Sequence, residues 1–136
     1  VVQQQSASPY LWALRITALI QAALIAVEFL TAGHLLMQEL LGEELSALPL
    51  HAGTALAVHV AGGAQVLAAV LLMRPGNGPA WPAVVSAAAF GTGFAQAYFG
   101  SHVMLALHVP AALLLVVLVM IVLVGSWLRP LRDSRV

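Results

Sequence analysis

Five histidines stand out in this 136-residue chain: His34, His51, His59, His102 and His108. Their surroundings make them unusual, because 62% of the residues are hydrophobic and only 7% are charged. A neutral imidazole is a ligand for zinc, copper or iron, and haem iron commonly takes an axial histidine. There is no cysteine, so thiolate metal sites, iron–sulfur clusters and disulfides are excluded. No Ser–His–Asp set, phosphate loop or carboxylate pair is present, which favours a redox or binding protein over an independent enzyme.

The elements that must hold these histidines are membrane spans. Soluble domains carry roughly 25% charged residues, and a chain with a mean hydropathy of +0.99 cannot cover a water-facing surface with polar groups. A span needs about 20 apolar residues, and four such stretches are predicted over about 10–36, 50–73, 81–99 and 102–128. The expected fold is all-α, a single four-helix transmembrane bundle of up-down-up-down topology over residues 1–136. Met37–Pro49 reads as the longest loop, and Arg74-Pro-Gly-Asn-Gly-Pro79 stops the second span. Polar Val1–Pro9 does not read as a cleavable leader.

Arg15, Arg74, Arg129, Arg132 and Arg135 fall at one face of such a bundle, and Glu39, Glu43 and Glu44 at the other. The positive-inside bias then places both termini in the cytoplasm of a multi-pass plasma-membrane protein. Trp12, Trp81 and Trp127 lie near span ends, where indoles favour the headgroup zone. With zero net charge and no basic cluster, nucleic acid is not an expected partner. The lipid bilayer is the expected one, joined by a larger respiratory or assembly complex or by further copies of the chain.

Placed by depth, all five histidines lie in the outer half of the membrane, although they come from three helices. An ionisable group in mid-membrane costs about 2.5 kcal/mol or more when charged, so such residues face the bundle interior and mark function. The second and fourth helices run parallel, so histidines at matching depth on them could clamp a b-type haem. His59 with His108 is the first pairing; counted from the cytoplasmic ends they differ by roughly 4–5 Å. His51 with His108 is the close second, and His51 also matches His102 in depth. His34 and His102, at span ends, read as interfacial residues. Gly62 and Gly63 clear space beside His59, and Pro110 leaves the Ala106 carbonyl without its usual donor. A copper or zinc site built from the histidines, with Met37 and Met104 as soft ligands, is the alternative.

Glu28, in mid-span with Gln21 and Thr31 near its face, could relay protons or assist a ligand. It could equally be a neutral acid bonded to Gln65, Gln96 or a carbonyl. His34, close to it in sequence, is a further candidate for such assistance.

The segment Leu107-His108-Val109-Pro110 leading into an unbroken apolar span, with the His51/His59 region opening the second, resembles small four-helix membrane cytochromes. In layout it is similar to one half of the heme A synthase family. The resemblance implies that His108, with His51 or His59, ligates a haem near the outer ends of the second and fourth helices. Only one half is present here, and no acidic residue lies just upstream of His51 or His59. The resemblance therefore implies a haem-b bundle for electron transfer or haem handling rather than haem A synthesis.

Overall fold

The computed structural model describes residues 8–128 and contains four helices: α1 (Pro9–Leu41), α2 (Leu48–Met73), α3 (Trp81–Ser101) and α4 (Leu105–Leu128). Arg129, Arg132 and Arg135 lie outside the described residues. Each helix packs on its neighbours in sequence, and α1 closes the ring against α4, so α2 and α4 stand diagonally across an up-down-up-down bundle. Of the four helix pairs in contact, α1 with α4 is the least extensive.

The bundle buries polar side chains among its apolar core and exposes large apolar ones. Gln21, Gln65, Ser86, Gln96 and Ser126 are buried, whereas Leu30, Leu40 and Leu56 are more than two-thirds exposed. That inversion suits lipid, which is as apolar as leucine and leaves polar side chains to bond between helices. α1, α2 and α4 are long and apolar enough to cross a membrane, so this is a membrane protein. α3, diluted by Ser86, Thr92, Gln96 and four Gly or Tyr positions, has the length of a span and buries Ser86 and Gln96 inside the bundle.

The ends of the helices explain where the boundaries differ from the predicted ones. Ser8 caps α1 by accepting the Leu11 N–H, and Pro9 starts the helix, where its missing N–H costs nothing. α1 runs on to Leu41, five residues beyond the predicted 36. Its end is set by Gly42, whose left-handed conformation (φ 66°) lets the Glu43 N–H reach the Gln38 carbonyl. The buried Gln38 side chain then donates to Ser46 Oγ and accepts the Ala47 N–H, tying the loop to the start of α2. α4 begins at Leu105 rather than 102, because His102–Met104 forms the tight turn from α3. Val103 sits there at φ 57°, an uncommon conformation for a β-branched residue.

Two apolar clusters hold the bundle. Leu11, Leu14, Ala18, Ala68, Ala69, Leu72 and Val122 pack at the end nearest Arg15 and Arg74. Ile25, Val58, Ala89, Leu115 and Val119 pack at mid-height. Above the second cluster, toward the acidic loop, the interior becomes polar.

Candidate functional site

The boundaries decide which histidines share a level. His51 lies three residues into α2 from Leu48, and His108 three residues into α4 from Leu105. On parallel helices that start at the same end of the bundle, the two are level. His59 lies eight residues farther along α2, about 12 Å deeper at 1.5 Å per residue.

His51 and His108 both line one cavity of about 100 Å³. Glu28 and Gln96 share its wall, Ile25, Val58 and Leu115 form its apolar part, and Phe29 and Val109 flank it on α1 and α4. Phe29 and Val109 are half-exposed, so the cavity adjoins the lipid-facing seam where α1 and α4 pack least.

Each of the two imidazoles is aimed by an oxygen on a neighbouring helix. The Thr31 hydroxyl donates to the Glu28 carbonyl (3.0 Å) and therefore accepts from His51 Nδ1 (2.8 Å). Glu28 Oε2 lies 3.2 Å from the same nitrogen. The Thr54 hydroxyl reaches the other carboxylate oxygen, so both oxygens of Glu28 are engaged. His108 Nδ1 donates to the backbone carbonyl of Gln96 at 2.7 Å. A carbonyl can only accept, so the proton is assigned to Nδ1 of His108; because the Thr31 hydroxyl gives its proton to the Glu28 carbonyl, Nδ1 of His51 is likewise the donor. In the neutral form of both rings Nε2 then carries the lone pair, and it has no hydrogen-bond partner among the described residues. That is the disposition of a metal-ligating histidine, whose second nitrogen is held by a carboxylate, hydroxyl or carbonyl.

Gly100 makes the His108 contact possible. A Cβ at this position would lie 2.8 Å from His108 Nδ1 and 2.9 Å from Cε1, so only glycine lets the ring approach α3 this closely.

The other candidates lie elsewhere. His59 donates from Nδ1 to the Ala55 carbonyl (2.7 Å), packs on Phe94 with 4.6 Å between ring centroids, and buries Nε2 without a partner near Gly93. It faces the α2–α3 seam and does not line the cavity. His102 is exposed, stacked on Tyr98 and bonded to the Tyr98 carbonyl. His34, Met37 and Met104 are exposed and outside the cavity. Among the described residues no three His, Cys, Asp or Glu side chains gather closely enough to hold a bare metal ion. The side chain of Glu28 bonds His51 and Thr54 and not Gln65 or Gln96.

Thr31, Thr54, the Gln96 carbonyl and Gly100 are the parts that sequence reasoning did not assign. Their signal was faint: a threonine three residues after Glu28, another three after His51, and a glycine eight before His108. Compared with known proteins, the chain matches no protein-family model, no curated protein and no solved structure.

Proposed function

We propose that the chain is a haem-b-binding membrane protein, for electron transfer or haem handling, with His51 and His108 as the axial ligands. One observation carries this reading. Two level histidines on diagonal helices line a common cavity, each with Nδ1 anchored and Nε2 without a hydrogen-bond partner among the described residues. A bis-histidine haem site needs that disposition, whereas a zinc site wants four grouped ligands.

The donor set fits the group; the cavity as it stands is tight. About 100 Å³ matches the liquid volume of roughly three waters, less than a porphyrin plate requires. The α1–α4 seam is the place to widen, since Phe29 and Val109 border it and the helices pack least there. When bound, haem supplies one-electron redox chemistry. The chain's own parts then have separate tasks. Glu28 and Thr31 hold His51 in one tautomer, the Gln96 carbonyl does so for His108, and Ile25, Val58 and Leu115 keep water from the inner wall. With the positive-inside bias, this end of the bundle faces away from the cytoplasm of a plasma membrane.

The test is to express the chain with haem supplied, purify it in mild detergent, and record oxidised and dithionite-reduced visible spectra. A sharp α-band in the wild type and in His59→Ala, lost in His51→Ala and His108→Ala, is the expected result. A colourless wild-type protein of intact helicity sinks the reading. A band lost in His59→Ala and kept in His51→Ala moves the ligand to His59.

A further inference from the structure

At the opposite end of the bundle Arg15 sits in an arrangement that the haem site does not use. Its Nε and Nη2 donate to the Ser126 carbonyl at 3.1 and 2.8 Å, joining α1 to the last turn of α4. The guanidinium carbon lies 4.4 Å from the centroid of the Trp127 ring and 5.3 Å from that of Trp12, and the two indoles meet edge to face at 5.6 Å. Among the described residues no carboxylate forms an ion pair with it; the one such pair is His51 with Glu28, in the cavity far along the bundle. Of the five N–H donors of a guanidinium, two are spent on Ser126, and Nη1 keeps both of its own.

Depth identifies the complement. Both indoles are about half-exposed at the outer surface of the bundle, and exposed indoles in membrane proteins settle at the headgroup level. The cation between them is therefore held where lipid phosphates lie. Arg74, exposed at the end of α2, adds a second positive charge at the same end, and no described Asp or Glu offsets either. A planar fork of N–H donors matches phosphate oxygens in two-point contact, and the flanking rings fix its plane.

We propose that Arg15, flanked by Trp12 and Trp127, is a binding site for a phosphate monoanion, supplied by the headgroup of an anionic phospholipid. The remaining donors of Arg15 meet the phosphate oxygens, the indoles lie against the glycerol backbone, and Arg74 contributes only long-range attraction. The site thereby pins the α1–α4 contact to the bilayer surface at the end remote from the haem cavity.

The test uses the full chain in detergent with dioleoylphosphatidylglycerol, dioleoylphosphatidylcholine or inorganic phosphate added separately, read by native mass spectrometry and by the shift in apparent unfolding temperature. Phosphatidylglycerol is expected to remain bound to the wild type and to raise its unfolding temperature. Binding should fall about fivefold or more in Arg15→Gln, the scale of one basic residue at an anionic surface, and change little in Arg74→Gln. Arg15→Lys keeps the charge at the helix end and serves if Arg15→Gln does not fold; it should lose part of the affinity because the fork is gone. Trp12→Leu should weaken binding without removing it. Equal protection by millimolar inorganic phosphate would overturn the lipid as the source. Equal retention of phosphatidylglycerol by wild type, Arg15→Gln and Arg15→Lys would overturn the site.

Discussion

Replacing Gly100 by alanine should misaim His108 while leaving the bundle folded. The new Cβ would lie 2.8 Å from His108 Nδ1, and an ordinary contact begins at 3.4 Å. The ring must therefore retreat by about 0.6 Å. Taken along the bond, that lengthens the 2.7 Å contact to the Gln96 carbonyl to about 3.3 Å, beyond the ordinary limit of roughly 3.2 Å. Losing this hydrogen bond costs about 0.5–1.5 kcal/mol. Alanine returns up to about 1 kcal/mol of helix propensity over glycine, so net stability should shift by less than about 1 kcal/mol. In the proposed haem complex ligation is the sensitive quantity, because losing the partner that orients a ligand typically weakens binding about 10–100-fold. Haem titration followed at the Soret band measures that loss, and the apparent unfolding temperature measures the small change in stability. A readout independent of haem is the ¹⁵N signal of His108, which should lose its single Nδ1–H tautomer. A Gly100→Ala protein with wild-type haem affinity and an unchanged His108 signal would refute the argument that close approach to α3 aims this ring.

Three further predictions follow from other contacts. Glu28→Leu removes the carboxylate from His51 Nδ1 and leaves only Thr31, so haem affinity should fall about 10–100-fold in equilibrium titration; an unchanged value would make Glu28 a bystander. Gly62→Ala places a Cβ 2.8 Å from Gln21 Nε2 and 3.2 Å from Phe90, and overpacking of this kind costs about 1–3 kcal/mol. Gly63→Ala meets Phe90 at an ordinary 3.6 Å and should be tolerated, so thermal unfolding in detergent should rank the two variants well apart. Val103→Gly relieves a left-handed backbone at φ 57°, a conformation that costs L-residues roughly 1–2 kcal/mol; a rise in apparent unfolding temperature is expected, and a fall would show that the valine side chain stabilises the turn in another way.

Composition alone settled the class of this protein. Four apolar stretches separated by Pro, Gly and charged segments can satisfy their backbone in lipid only as helices, and the helix count and order in the structure agree with that reading. The breaker segment Arg74–Pro79 and the Trp81-Pro82 start are local signals, and they held because local backbone chemistry decides them. The histidines, too, announced themselves through the cost of burying ionisable groups.

Tertiary structure decided what those histidines face. Depth counted from the predicted cytoplasmic ends ranked His59 ahead of His51, because a span end is uncertain by about one turn and a shift of His108 by one turn is enough to exchange its two partners. The start of α4 at Leu105 rather than 102 brings His108 level with His51. Direction around the helix was equally beyond periodicity: His59 turns to Gly93 and Phe94 on α3, while His51 is drawn to Thr31 and Glu28 on α1. A polar group in a bundle goes to whichever helix offers an oxygen at hydrogen-bond distance, and that distance depends on how closely two backbones approach. At Gly100 the approach hinges on a single absent methyl group, whose meaning appears only when α3 and α4 are packed together.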